Sequence, residues 1–238
     1  MIASIQTLLA ISLTVGIYLA AEQLYIKAGR NALLHPVIIS IFSLMGLITV
    51  FGWGYPQYQN DTRFIHFLLG PATVALAVPL HENMALIRKM AVPLLLACLS
   101  GALVASASAV MLSAWITGDE VLSLSMSAKS ITTPIAIGMA DSLGGSGSLA
   151  AGLVLLAGSI GTLILPTLMR LCRLHDHALY GFVLGVTAHG FGTAQAFEKS
   201  ITCGAFAGLA MSLTGVFTAF LVPPLVPFWL QPFWLLGG

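Results

Sequence analysis

Charge is what this chain lacks. Of 238 residues only 7% are Asp, Glu, Lys or Arg, against about a quarter in soluble domains. So little charge excludes an ordinary water-soluble globule. A net charge of +1 gives no footing for nucleic acid, and the basic clusters Arg88-Lys89 and Arg170/Arg173 read as loop flanks. Cysteine is scarce as well. Cys98, Cys172 and Cys203 are odd in number and lack metal-ligand spacing, so neither a disulfide framework nor zinc is indicated. No phosphate-binding loop, metal cluster or nucleophile elbow is present, so no cofactor is expected.

What the chain does have is apolar length. It is 58% hydrophobic, with a mean hydropathy of +0.99. A helix needs about 20 apolar residues to cross the hydrocarbon core, and windows such as 91–116 and 149–171 supply them. The pattern predicts an all-α polytopic membrane protein with about eight hydrophobic segments, at 2–21, 33–51, 64–81, 91–116, 121–140, 147–171, 178–197 and 203–230. The first, with no basic residues ahead of it, reads as a retained span rather than a cleaved signal. "GYPQYQNDTRFIHF" mixes aromatic and polar residues as a water–lipid boundary does.

No linker separates two domains, so 1–238 reads as a single transmembrane domain. A weak internal match divides it into repeats of four segments, approximately 1–116 and 117–238. "LGPATVALAVPLHE" aligns with "LGVTAHGFGTAQAFE", placing Gly70 against Gly185 and Glu82 against Glu198. The third segment of each half, and the Lys129–Gly145 region, carry residues that interrupt helices: Pro71, Pro79, Pro134, Gly190 and Gly192. Interrupted segments at matching positions point to a transporter's binding site. If segments three and seven are re-entrant hairpins, each half has three crossings and the repeats are inverted. Whether all eight segments cross or those two turn back, Lys and Arg divide five against three, so the positive-inside rule does not choose.

Lys129 stands inside an apolar stretch, where a charge costs about 3 kcal/mol on insertion scales and turns to a cavity or a partner. Thr132, Thr133 and Pro134 follow. Proline breaks the helix, and a break frees amides that favour an anion. The plainer alternative is a lysine snorkelling to the interface beside a kink. His189 lies among small residues, with Thr193 and Gln195 beyond it. It suits carboxylate binding or proton transfer, or else a polar bond between helices. Glu82 and Glu198 end the matched segments. They are candidates for proton coupling together with His189, although solvated helix ends need no such role. Asp141, before a glycine-rich turn, reads as a cap for the next helix. "GGSG" at 144–147 is similar to the serine motif of rhomboid proteases, but the rest of that pattern is absent, and no enzyme is expected.

Three blocks, "GPATVALAVPL", "KSITTPIAIGMADSLGG" and "AHGFGTAQAFE", resemble the signature blocks of the LrgB/CidB family. That family includes YohK-like proteins and the carboxyl-terminal half of the plastid glycolate/glycerate transporter. The resemblance implies a multi-pass protein of the bacterial inner membrane. It implies either carriage of small monocarboxylates of the glycolate, glycerate, pyruvate or lactate type, or an antiholin- or holin-like influence on murein hydrolase activity and autolysis. It also implies a separate LrgA/CidA-type membrane partner. A homo-oligomer, a dimer foremost, is expected. Onto this chain the blocks carry Lys129, Thr132, Thr133, Pro134, His189, Gly192 and Thr193. In the carrier reading Lys129 neutralises the carboxylate, Thr132 and Thr133 orient it, and His189 with Gln195 takes the remaining oxygen.

Overall fold

The computed structural model describes residues 2–29 and 34–234 and forms two compact units, 1–77 and 78–238. Arg30 and Leu33 lie outside the described residues. Every regular element described is helical.

The first unit holds α1 (Ile2–Lys27), α2 (Pro36–Val50), α3 (Tyr55–Asp61) and α4 (Arg63–Ala75). Gly52, at φ 63°, turns the chain after α2, and Pro56 opens α3 near its first turn. The axes of α2 and α3 are bent by 119°. Two side-chain contacts fasten α3 to α1. The Thr14 and Tyr58 hydroxyls meet at 2.7 Å, and buried Asp61 accepts from Thr7 at 3.2 Å and from Gln57 at 3.1 Å.

The second unit contains α5 (Ala77–Glu82, opening at the boundary), α6 (Met84–Lys89), α7 (Ala91–Thr117), α8 (Glu120–Met126), α9 (Thr133–Ser142), α10 (Gly147–Leu171), α11 (His177–Lys199) and α12 (Ile201–Trp234). Each junction has a local cause. Gly118 ends α7 in the left-handed conformation, and the Asp119 carboxylate caps α8 by accepting from the Leu122 amide at 2.9 Å. Asp141 takes the capping role expected of it, accepting the Gly147 amide of α10 at 2.7 Å. One apolar cluster joins Val110 and Ala114 of α7, Ala136 and Met139 of α9, Val154 of α10, and Val222 and Val226 of α12. A second joins Leu165 and Met169 of α10 to Leu184 of α11 and Ala207 of α12. Thus α7, α10 and α12 frame the two broken elements between them.

Among the described residues four helices are long and apolar enough to cross a membrane, in α1, α7, α10 and α12, with α2 and α3 together a fifth if the bent pair counts as one. The hydrophobic segments, about eight in number, are therefore not all helices of crossing length. The apolar content of the remaining segments is real, but their helices are broken.

Pro71 needs a correction too. It sits inside α4, which continues to Ala75, so this exposed proline removes one helical hydrogen bond without ending the helix. The interruption falls at residue 76, between α4 and α5. Pro79 is the third residue of α5, a position whose N–H would have had no helical acceptor.

Candidate functional site

A straight helix of the 23 residues in α11 would be about 34 Å long at a rise of about 1.5 Å per residue. Its ends nevertheless touch. The Nδ1 of His177 lies 2.9 Å from the Oγ of Ser200, and the Lys199 ammonium sits 3.5 Å above the Tyr180 ring. The helix is folded on itself at His189, whose φ of 47° and ψ of −123° are non-helical. Two arms result, 177–188 and 190–199, each about 15–18 Å long. Gly192 permits the fold-back: a Cβ there would strike the Leu184 carbonyl of the opposite arm. Gly181 and Gly185 set the first arm directly on the α12 backbone, against the carbonyls of Cys203 and Ala207. The offsets 203 − 181 and 207 − 185 are both 22, so that arm and α12 run in the same direction. Gly158 and Gly161 of α10 bring that helix against Thr187, Ala188 and Phe191 at the tip.

The Lys129 segment folds back in the same manner. After α8 the chain is non-helical until Thr133. Then α9, ten residues and about 15 Å long, returns it to the level where α8 ended, since the Ser146 amide donates to Ser125 Oγ at 2.8 Å. Pro134 explains the break. It is the second residue of α9, and a helix continued backwards would press its ring on the Ser130 carbonyl and offer that carbonyl no donor. Segment 121–140, read as a crossing in either scheme, is thus a second hairpin, entering from the opposite end of the bundle. The half 117–238 then has two crossings, α10 and α12, and the odd count behind inverted repeats becomes even.

The tips meet. His189 is only 2% exposed, hydrogen-bonds the backbone carbonyl of Ser130, and lies within electrostatic reach of Lys129. The carbonyl released by Pro134 is therefore the one His189 uses. Lys129, half-buried, donates from Nζ to Ser130 Oγ at 3.0 Å, and no carboxylate pairs with it among the described residues. His189 Nε2 is buried without a hydrogen-bond partner among the described residues, and so is Gln195 Oε1. An unmet buried group costs about 1–3 kcal/mol, so these two atoms are the site's open hydrogen-bonding positions. Thr193 is buried, and its hydroxyl donates to the His189 carbonyl at 2.8 Å and faces Met211 Sδ at 3.7 Å. Thr132, half-buried, is the N-cap of α9, and its side chain caps nothing.

The other expected residues are placed less centrally. Thr133 and Pro134 are exposed at the start of α9. Gln195 lies on the return arm, about 9 Å along the axis from the tip. Gly190 occupies open space, and the positive φ belongs to His189 itself, so neither Gly190 nor Gly192 is the point of the break. Glu82 and Glu198 are exposed at helix ends, Glu198 about 13 Å along its arm from His189. Ser130 went unnoticed in the sequence. The signal for it was Pro134, four residues on.

Two hairpins from opposite ends close, among apolar helices, on an ammonium without a carboxylate partner and an imidazole whose Nε2 has no hydrogen-bond partner among the described residues, and they define a multi-pass helical membrane protein with a built polar centre. Residues 14–228 match the model of the LrgB-like family, and the chain belongs to that family. YwbG and YxaC of Bacillus subtilis (strain 168) are 31% and 34% identical, over 93% and 92% of this chain and 98% and 95% of theirs. The holin-like protein CidB of Staphylococcus aureus (strain N315) is 30% identical over 93% of this chain and 96% of its own. No solved structure matches.

Proposed function

We propose that this protein is a secondary transporter for small monocarboxylates of the glycolate, glycerate, pyruvate or lactate type, in a bacterial inner membrane. One observation carries the reading. A lysine with no carboxylate partner and a buried histidine with a free Nε2, both among the described residues, meet at the tips of two hairpins. The carboxylate would rest on Lys129 and the first amides of α9, with Thr132 and Thr133 beside them. The second oxygen would meet His189, with Thr193 and Gln195 on the same hairpin. The break at residue 76 and the tip at 189 are 189 − 76 = 113 apart, near the offset of the internal match, which supports a repeat origin for the broken elements. His189, Glu82 and Glu198 are the candidates for proton coupling. The partners in this reading are the substrate, the bilayer, a second copy of the chain and a separate LrgA/CidA-type membrane protein.

The test is counterflow of labelled pyruvate, glycolate, glycerate and lactate in proteoliposomes. Removing a charged hydrogen-bond donor costs about 1.5–3 kcal/mol, or roughly 10–150-fold in affinity. Lys129→Met should therefore reduce exchange by that factor or more while the protein stays folded. Unchanged exchange removes the assignment.

A second reading rests on the name of the staphylococcal relatives, holin-like. There the chain would act on murein hydrolase activity and autolysis through membrane assemblies. Dye leakage from liposomes without saturable, substrate-selective exchange would favour it.

A further inference from the structure

The first unit holds a groove that the transport reading does not use. It has a volume of about 590 Å³ and lies where α3 turns away from α2 beside α1. Thr14, Tyr55, Tyr58, Gln59, Asn60 and Arg63 line it. We propose that this groove binds the phosphodiester headgroup of an anionic membrane lipid, with Arg63 as the anchoring cation.

Three observations on the residues lead there. First, the groove carries one charge, and it is positive. Asp61, the nearest acid in sequence, is only 4% exposed and is held by Thr7 and Gln57 rather than by Arg63. Arg63 is exposed, and among the described residues it has no ion-pair partner. Second, the rest of the lining can donate hydrogen bonds. The Gln59 and Asn60 amides and the Tyr55 hydroxyl have no partners among the described residues, while Tyr58 is oriented by its 2.7 Å contact with Thr14. A phosphodiester only accepts, and a guanidinium matches two of its oxygens at once. Third, apolar side chains lie on both sequence flanks of α3. Phe51 is 74% exposed and Phe67 70% exposed. Aromatic residues among polar ones mark the headgroup level of a bilayer. The 119° bend turns α3 away from the line of α2, as a helix lying along that level must turn. Acyl chains would then lie against the phenyl rings while the headgroup fills the groove. The volume falls within the roughly 300–1,000 Å³ of small-ligand sites.

The test uses the full chain purified in neutral detergent, with thermal unfolding followed as lipid is added. Phosphatidylglycerol and phosphatidylcholine of the same acyl chains are compared, with inorganic phosphate as a third arm. A ligand binding only the folded state raises the melting temperature. Phosphatidylglycerol should raise it by several degrees more than phosphatidylcholine. Arg63→Gln should abolish that difference, Arg63→Lys should keep part of it, and Lys27→Gln, outside the groove lining, should leave it whole. If Arg63→Gln melts lower without lipid, the lipid-dependent increment is still the quantity read. Equal shifts from the two lipids, or an increment that survives Arg63→Gln, overturn the proposal. An equal shift from phosphate alone overturns the lipid and leaves a free-anion site.

Discussion

Replacing His189 by glycine and by alanine distinguishes a hairpin tip from a position in a continuous helix. In a regular helix alanine is the more stable of the two by about 1 kcal/mol, because glycine loses more backbone freedom on folding. At φ 47° and ψ −123° the order should reverse. Any residue with a Cβ is strained there by about 1–3 kcal/mol, and glycine is not. Both substitutions delete the same buried imidazole and its free Nε2, so those large contributions cancel in the comparison. His189→Gly should therefore be more stable than His189→Ala by about 1–2 kcal/mol, opposite in sign to the helical expectation and about 2–3 kcal/mol away from it. The assay is reversible unfolding in mixed micelles, with both variants on the same background. Alanine equal to or more stable than glycine would refute the fold-back at 189. The variants carry a second reading as well: both should lose exchange while glycine gains stability over alanine, which would place the strain at a residue kept for its side chain.

Other expectations follow from the same geometry. In a cysteine-free background, His177→Cys and Ser200→Cys should react with a membrane-impermeant thiol reagent from one face only, and from the same face. Labelling from opposite faces would make α11 a crossing. Gly181→Ala should destabilise by about 1–3 kcal/mol or more, because its methyl would occupy the place of the Cys203 carbonyl. Gly190→Ala meets nothing within 4 Å and should stay within about 0.5 kcal/mol; similar losses at both sites in denaturation measurements would contradict the packing of the first arm on α12. Lys129→Met, read in the counterflow assay, tests the site independently of these stability measurements.

Much of this arrangement was legible in the residues, and the limits have physical causes. The break near Lys129 was legible because proline acts through its own ring and missing N–H, a local effect. The class was legible because too little charge and too much apolar length leave few alternatives. A fold-back within segment 178–197 was one of the two schemes, but its placement on His189 was not legible. "AHGFG" shows two glycines, and local reasoning gives the unusual backbone to them. Packing decides otherwise, since Gly192 is needed for the close approach to Leu184 and the tip falls on the histidine, which finds the Ser130 carbonyl. The second hairpin was hidden for a similar reason. Segment 121–140 has the length of a crossing, and only the Ser125–Ser146 contact, 21 residues apart in sequence, reveals that it turns back.

The two fold-backs also change how the charges of the second unit divide, where counting along an assumed zigzag left the two schemes level. If neither α8–α9 nor α11 traverses the bilayer, the loops before α7 and after α10 share one surface with both feet of α11. Arg88, Lys89, Arg170, Arg173 and Lys199 then all emerge there, and the opposite surface receives Asp119, Glu120 and Asp141 with no arginine or lysine. With five to none, the positive-inside rule predicts that the arginine- and lysine-bearing surface faces the cytoplasm, which the thiol labelling at His177 and Ser200 checks. On that expectation the histidine loop would enter from the cytoplasmic face and the lysine loop from the other, each face of the membrane supplying one half of the clasp.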